Sequence, residues 1–307
     1  MSAGGVVAGR RGARVDAVKM WIRYGIGQGL RSVSTAAALA SLAARNRTCR
    51  VDVPASGEVT VSLTTHGARL KYVHLAVESI ARGSVAAPIV LWLDRRDYES
   101  VWPAPLRRLV ARGLQVRCSD GSYGPHTKYW GTFREMAGAG TRVVTVDDDV
   151  IYPPWFLERL LEAARDEPEA VWAYRAHRIA MRAGAVQPYR KWGPVTGTSA
   201  SPLNFATGVS GVLYPAPFID YVVAQGERFL RVSPRADDVW LHLCELRSGH
   251  LVRQVYSLPQ NFPVVAATQV GTLAVRNTFG GGNDRQIAVA YGRADVEKLW
   301  SATPRPN

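Results

Sequence analysis

Between residues 59 and 180 the sequence alternates short apolar runs with amphipathic stretches, and that alternation admits few folds. "VTVSLTTH" (59–66), "APIVLWLD" (87–94), "LQVRCSD" (114–120) and "TRVVTVDDD" (141–149) have the length and β-branched content of buried strands. Between them "RLKYVHLAVESIARG" (69–83) and "APLRRLVARG" (104–113) read as helices stopped by glycine, and "HTKYWGTFREMA" (126–137) reads as helical. "PPWFLERLLEAARDEP" (153–168) opens on proline and carries Leu and Phe at three- and four-residue spacing, which predicts a helix. "AVWAYRAHRIA" (170–180) predicts one further strand. Strands and helices in this order predict an α/β fold with a mostly parallel sheet, right-handed crossovers and helices on both faces.

Beyond residue 180 the pattern loosens. Residues 182–210 read as a loop rich in Gly, Pro, Ser and Thr, carrying Tyr189, Lys191 and Trp192. "GVLYP" (211–215) reads as a strand, "FIDYVVAQ" (218–225) as a short helix, and "ADDVWLHLCELRSG" (236–249) as a helix opened by Asp237 and Asp238. A glycine run and a last helix end the chain. Hydrophobic residues make up 47% of the 307, enough for a substantial core. The three cysteines, Cys49, Cys118 and Cys244, have no metal or CxxC spacing, which predicts free thiols in a reducing compartment. The six histidines form no HxxxH or HExxH pattern, so a zinc site is not expected.

The net charge of +13 is unevenly spread. Residues 1–57 hold nine Arg or Lys against Asp16 and Asp52, a surplus of seven. Within this arm Val15, Val18, Ile22, Ile26, Leu30, Val33 and Ala37 recur at helical spacing with basic residues between them. No uncharged run approaches the ~18–20 residues a membrane span needs. The arm therefore reads either as a helix or tail belonging to the main domain, or as a basic interfacial helix on an anionic membrane surface. Nucleic acid is not an expected partner, since no recognised binding motif is present. The expected organisation is a basic arm over 1–57 (Pro54–Gly57 as linker), a catalytic domain over 58–292, and a helix end and tail over 293–307.

In parallel sheets ligands bind beyond the carboxyl ends of the strands. Thr64, Thr65, His66, Asp94, Asp120 and the run Asp147, Asp148, Asp149 all fall at such ends. Three adjacent carboxylates repel one another. On a strand side chains alternate faces, so Asp147 and Asp149 project to one side and Asp148 to the other. Two hard-oxygen ligands on one side suit Mg²⁺ or Mn²⁺, which takes one or two carboxylates and completes its shell with water and phosphate. Asp237 and Asp238 can cap a helix or supply a general base. Ala206, Thr207, Gly208, Ser210 and Gly211 would let backbone approach a ligand, although taken alone they read better as a loop entering a strand. Tyr189, Trp192 and Trp240 could stack on sugars, a role aromatics fill less often than core packing.

Taken together, "VSLTTHGARLKYVHLAVESI", "IVLWLD", "HTKYWG", "TVDDDVIYP", "YRAHRI", "LNFATGVSGVLYP", "ADDVWL" and "GGNDRQ" resemble, in order, a bacterial glycosyltransferase group related to family 2, of the DXD-containing GT-A type. The resemblance spans about residues 58–292. It implies a Rossmann-like nucleotide-binding sheet with an acceptor-side C-terminal region. The implied activity is metal-dependent, inverting transfer from a nucleotide-sugar, expected to be a UDP-sugar, to a glycan or lipid-linked acceptor in surface polysaccharide assembly. It further implies donor contacts from Thr64, Thr65, His66, Arg69, Asp94 and Lys128, with Asp148 counted among them. Mn²⁺ or Mg²⁺ would sit on Asp147 and Asp149, and Asp238 or Asp237 would act as base, with Asp237 standing where Glu is more usual. The expected location is cytoplasmic, peripheral on the inner membrane face. An Mg-dependent nucleotidyltransferase would carry a glycine-rich phosphate loop after the first strand, where "TTHGAR" offers one glycine. A non-catalytic carbohydrate-binding protein would not need two acidic clusters. No GxGxxG follows a strand, which argues against a dinucleotide oxidoreductase.

Overall fold

The computed structural model describes residues 34–268 and 282–304. The helical pattern expected from Val15 to Val33 and most of the late glycine run lie outside these residues. Residues 34–48 form helix α1. The chain divides at Arg45, and residues 46–307 make up the body that holds the sheet.

Strands β1 (Val59–Thr64), β2 (Ile89–Leu93), β3 (Gln115–Cys118), β4 (Arg142–Thr145) and β5 (Val171–Ala173) alternate with helices α2 (Val73–Ala81), α3 (Arg95–Tyr98), α4 (Ala104–Val110), α5 (Trp130–Met136) and α6 (Phe156–Asp166). Next come the small strands β6 (Ala176–Arg178), β7 (Met181–Arg182), β8 (Ala185–Val186), β9 (Gly193–Pro194) and β10 (Asn204–Ala206). Strand β11 (Val212–Tyr214), helices α7 (Ala216–Ala224), α8 (Phe229–Val232) and α9 (Asp237–Ser248), strand β12 (Val252–Gln254), and helices α10 (Gly282–Ala290) and α11 (Arg293–Ser301) complete the chain.

The main sheet has seven strands in the order β12-β5-β11-β4-β1-β2-β3. All its pairings are parallel except those of β11, which runs antiparallel to both β4 and β5. Alternation along the strands divides the core. Val59, Val61 and Leu63 of β1, with Val144 and Leu213, pack toward Val73, Val77, Leu106 and Leu160. Val143, Val212 and Tyr214 pack on the other face toward Phe133, Phe218 and Val239. The sheet is thus covered by helices on both faces, as the alternation of elements requires.

Two regions differ from the sequence reading. The run 170–180 is two strands rather than one, because the chain leaves the main sheet at Tyr174 and enters a three-stranded sheet of order β10-β6-β9. Tyr174 is locked at this break by donating its hydroxyl to the Phe156 carbonyl at 2.6 Å. The region expected as a loop over 182–210 supplies the remaining short strands. The compact body that holds the sheet begins at Asn46. Val53 N–H donates to the Arg112 carbonyl at 2.6 Å. Arg112 pairs with the buried Glu78 at 2.5 Å, and Asn46 donates to the same carboxylate at 3.1 Å. At the other end α11 belongs to the same body, through buried Leu299 and an Arg247–Asp295 pair at 2.7 Å.

A buried polar knot ties β1 to the segment before α5. Ser62 Oγ donates to the Lys128 carbonyl at 2.7 Å and lies 2.7 Å from Thr132 Oγ1, which also accepts from Trp92 Nε1 at 2.7 Å. Gly131 permits this approach: a β-carbon there would collide with the Trp92 indole. Gly131→Ala is therefore expected to cost about 1–3 kcal/mol by overpacking. A thermal melt checks this, and an unchanged Tm would show that the indole has room to move.

Candidate active site

Because β1, β2, β3 and β4 run parallel, their carboxyl ends open on one edge of the sheet. Thr64 to His66, Asp94 and Asp147 to Asp149 lie at these ends, and Asp120 follows the end of β3. The antiparallel β11 adds to this edge from the opposite direction. Its amino end, preceded by Thr207 and Gly208, lies beside the ends of β4 and β5. One reversed strand thus delivers the loop before it to the site.

The three aspartates do not divide as continued strand alternation would have it. Strand β4 stops at Thr145, and Asp148 and Asp149 lie in a turn. Arg69 joins Asp148 and Asp149: its Nη2 contacts an oxygen of Asp149 and lies 3.1 Å from Asp148 Oδ1. Asp147 is turned toward Lys128, with which it forms an ion pair. The grouping is therefore Asp148 with Asp149, and Asp147 apart. Neither is the repulsion among them left uncompensated, since Arg69 and Lys128 arrive from distant sequence. Thr65 is buried and donates its hydroxyl to Asp148 Oδ2. Burial raises the Asp148 carboxyl to about 6, although Arg69 and Thr65 pull it the other way. The Asp147 N–H donates to the Tyr152 hydroxyl at 2.8 Å, fixing the start of the turn.

Lys128 links the two acidic clusters. Its Nζ pairs with Asp147 and lies 3.9 Å from Asp237 Oδ2. Burial disfavours the ammonium, yet Asp147, Asp237 and Asp238 together raise its pKa above that of an ordinary lysine. Asp237 and Asp238 open α9, but no side-chain cap bond is made at that helix start. Asp238 Oδ1 instead accepts from the Gly208 N–H at 3.0 Å. A β-carbon on Gly208 would sit 3.1 Å from both Asp238 Oδ1 and Lys128 Nζ. Burial first, then the neighbouring Asp237, holds the Asp238 carboxyl well above the usual carboxylate range.

The other expected residues are placed as follows. Thr64 donates to the Trp92 carbonyl at 2.9 Å, so its hydroxyl is engaged by β2. His66 is exposed at the start of the turn that carries Arg69. Asp94 has an Oδ1 that is buried without a hydrogen-bond partner. Its pKa is raised by burial and then by Asp97. Asp120 is exposed and paired with Arg134 at 2.6 Å, away from the acidic centre. Trp240 and Trp192 are core residues; Tyr189 is half-buried beside His177, with ring centroids 5.6 Å apart.

Sequence reasoning missed the segment 262–268. Its Val265 N–H donates to the Asp149 carbonyl at 2.7 Å, Val150 bridges to Val264, and Thr268 Oγ1 lies 3.4 Å from Asp149 Oδ2. Nothing in "NFPVVAAT" marks it as site-forming, because backbone pairing carries the contact. Arg175 was quoted only as part of a motif, yet it lies next to Thr207.

Among the described residues no group of three or more His, Cys, Asp or Glu side chains is arranged to hold a metal. A diphosphate-bound ion needs fewer protein ligands than that, since water and phosphate oxygens fill most of its shell. The charge balance fits such an ion: five carboxylates (Asp147, Asp148, Asp149, Asp237, Asp238) gather around Lys128 and Arg69, a negative surplus that would repel a diphosphate arriving alone.

No family model matches the chain, and comparison with curated proteins finds no match. Comparison with solved structures finds similarity to TarS from S. aureus (residues 1–349), at 13% identity and TM-score 0.46, over 79% of this chain and 70% of that one. It also finds the mannosyltransferase PcManGT from Pyrobaculum calidifontis, a complex with GDP-Man and Mn²⁺, at 16% identity and TM-score 0.49, over 91% of this chain and 79% of that one. A 4-diphosphocytidyl-2C-methyl-D-erythritol synthase is similar at 11% identity and TM-score 0.39, over 69% and 95% of the two chains.

The pairing of Asp237 with Asp238 makes a titration test. A carboxylate base works deprotonated, so activity rises with pH through its pKa. Asp237→Asn removes one of the three causes that raise Asp238, the others being burial and Asp147, and is expected to move the acid limb of the rate profile to lower pH if Asp238 is the base. A limb that does not move would assign it to another group.

Proposed function

We propose that this protein is a metal-dependent, inverting glycosyltransferase that moves a sugar from a nucleotide-sugar, a UDP-sugar in this reading, to a hydroxyl of a glycan or lipid-linked acceptor. The observation that carries the reading is the convergence on one sheet edge of two acidic clusters joined by Lys128: one suited to a diphosphate and its cation, the other to a base. Asp149 and Asp147 would hold Mn²⁺ or Mg²⁺, with Asp148 held against Thr65 and Arg69. A divalent ion, when bound, supplies positive charge to the departing nucleoside diphosphate.

The chain's own residues supply the rest. Lys128 lies where it can shift from Asp147 toward phosphate oxygens. Arg69 keeps the Asp148–Asp149 turn in place. Asp94, with its unpartnered buried oxygen, can accept from a base or ribose donor beyond β2. Asp238, oriented by the Gly208 N–H, takes the proton from the acceptor hydroxyl as that oxygen attacks the anomeric carbon. One displacement needs one base and no carboxylate nucleophile, unlike retaining glycosidases with their close carboxylate pair. The raised pKa of Asp238 makes it a stronger base than an exposed aspartate.

No helix among the described residues is long and apolar enough to cross a membrane. A cytoplasmic enzyme at the inner membrane face, attached through the basic arm, accords with the reading of residues 1–57.

Two substitutions separate the roles. Asp149→Asn is expected to abolish Mn²⁺-dependent donor binding. Asp238→Asn is expected to lower turnover by roughly 10²–10⁴-fold, the range for loss of a general base, while donor affinity is kept. Donor affinity and release of nucleoside diphosphate across a nucleotide-sugar panel check both. Full turnover by Asp238→Asn would remove it as the base.

A further inference from the structure

This inference rests on the transferase reading and concerns the acceptor. We propose that Arg175 binds an anionic group, a phosphate or a carboxylate, carried by the acceptor molecule.

Arg175 sits in the connection between β5 and β6, where the chain passes from the main sheet to the small one. Among the described residues its guanidinium has two protein partners: Nη2 lies 3.1 Å from His177 Nε2, and Nη1 lies 3.5 Å from Thr207 Oγ1. A guanidinium only donates, so His177 Nε2 accepts and the imidazole carries its proton on Nδ1. Burial, then the Arg175 charge, holds His177 down at about 4, so the ring is neutral near pH 7. Both partners of Arg175 are therefore neutral. Among the described residues no carboxylate lies within ion-pair distance of it. Residues 174–212 contain Arg175, Arg178, Arg182, Arg190 and Lys191 and no Asp or Glu; a carboxylate from α10, Asp284, reaches this segment at the Tyr189 N–H, from which it accepts at 2.6 Å. A half-buried cation with neutral neighbours is costly to desolvate unless an anion joins it.

Position decides which substrate brings that anion. Thr207 precedes Gly208, whose N–H orients Asp238. The Tyr189 phenol is raised by burial and then by Asp238, and lowered by Arg175, so base and guanidinium act on the same ring. The donor diphosphate would have Lys128, and a cation held by Asp147 and Asp149, for its charge. Arg175 stands with β6 and β10, on the side of the base, where the molecule that gives up its proton must lie. A planar guanidinium grips phosphate or carboxylate through two parallel hydrogen bonds, which a neutral sugar cannot match. His177 is a positioning residue here, holding the fork in orientation.

The test uses the full chain, any nucleotide-sugar it hydrolyses, and three matched acceptors: an octyl glycoside, its 6-phosphate and the corresponding octyl uronide. Wild type is expected to use at least one charged acceptor about tenfold or more better in kcat/KM than the neutral one, the scale of a charged hydrogen bond. The phosphate and uronide arms tell which anion is read. Arg175→Met is expected to erase that preference through the acceptor KM, and Arg175→Lys to restore part of it, which a misfolded site would not do. A wild type that uses the charged acceptors no better than the neutral one overturns the proposal. So does a rise in donor KM in Arg175→Met, which would place the guanidinium on the donor. If wild type releases nucleotide from no nucleotide-sugar, the transferase reading itself fails; intact donor hydrolysis without charge preference removes only the role of Arg175.

Discussion

The site is organised around a charge imbalance: two cations, Lys128 and Arg69, stand among five carboxylates. Each cation bridges acids that the sequence places apart from it. Lys128 spans from Asp147 to the start of α9, and Arg69 closes the turn of Asp148 and Asp149. Without them the clusters would repel. With them the clusters are held together, but still short of positive charge. That residual negative charge would attract a divalent ion and would repel a diphosphate that arrived without one.

Much of the surrounding fold fixes these two side chains. The carbonyl of Lys128 is held by Ser62 from the middle of β1, and the closeness of that segment to the sheet depends on Gly131 lying against Trp92. Arg69 is carried on a short turn directly after β1. The parallel strands bring their acidic ends to one edge, while the reversed β11 brings Gly208 to the same edge. Gly208 and the acids that follow β4 thus reach this edge from opposite chain directions. A purely parallel sheet would not place a strand's amino end there.

The sequence made the sheet and its working edge legible, because buried strands and glycine-stopped helices are local signals. Asp147, Asp148, Asp149, Asp237, Asp238, Lys128 and Arg69 were all singled out, and the structure brings them together. What could not be read was the pairing among them. Strand alternation assigned faces to Asp147 and Asp149, but β4 ends before them, and a turn obeys no two-residue period. The break at Tyr174 was hidden for a related reason: a continuous apolar run does not reveal that its halves join different sheets. The segment 262–268 acts through backbone bonds, which leave no mark on side-chain identity. Arg175 became distinctive only once its partners were seen to be neutral, a property of three-dimensional surroundings.

The central claim is that this edge accepts a nucleoside diphosphate only together with a divalent cation. Calorimetric titration of UDP and GDP into the protein, with and without Mn²⁺, tests it directly. The account predicts measurable binding of at least one of them when Mn²⁺ is present and its loss on chelation. Equal affinity with and without the metal, or no binding of either nucleotide under both conditions, would contradict it.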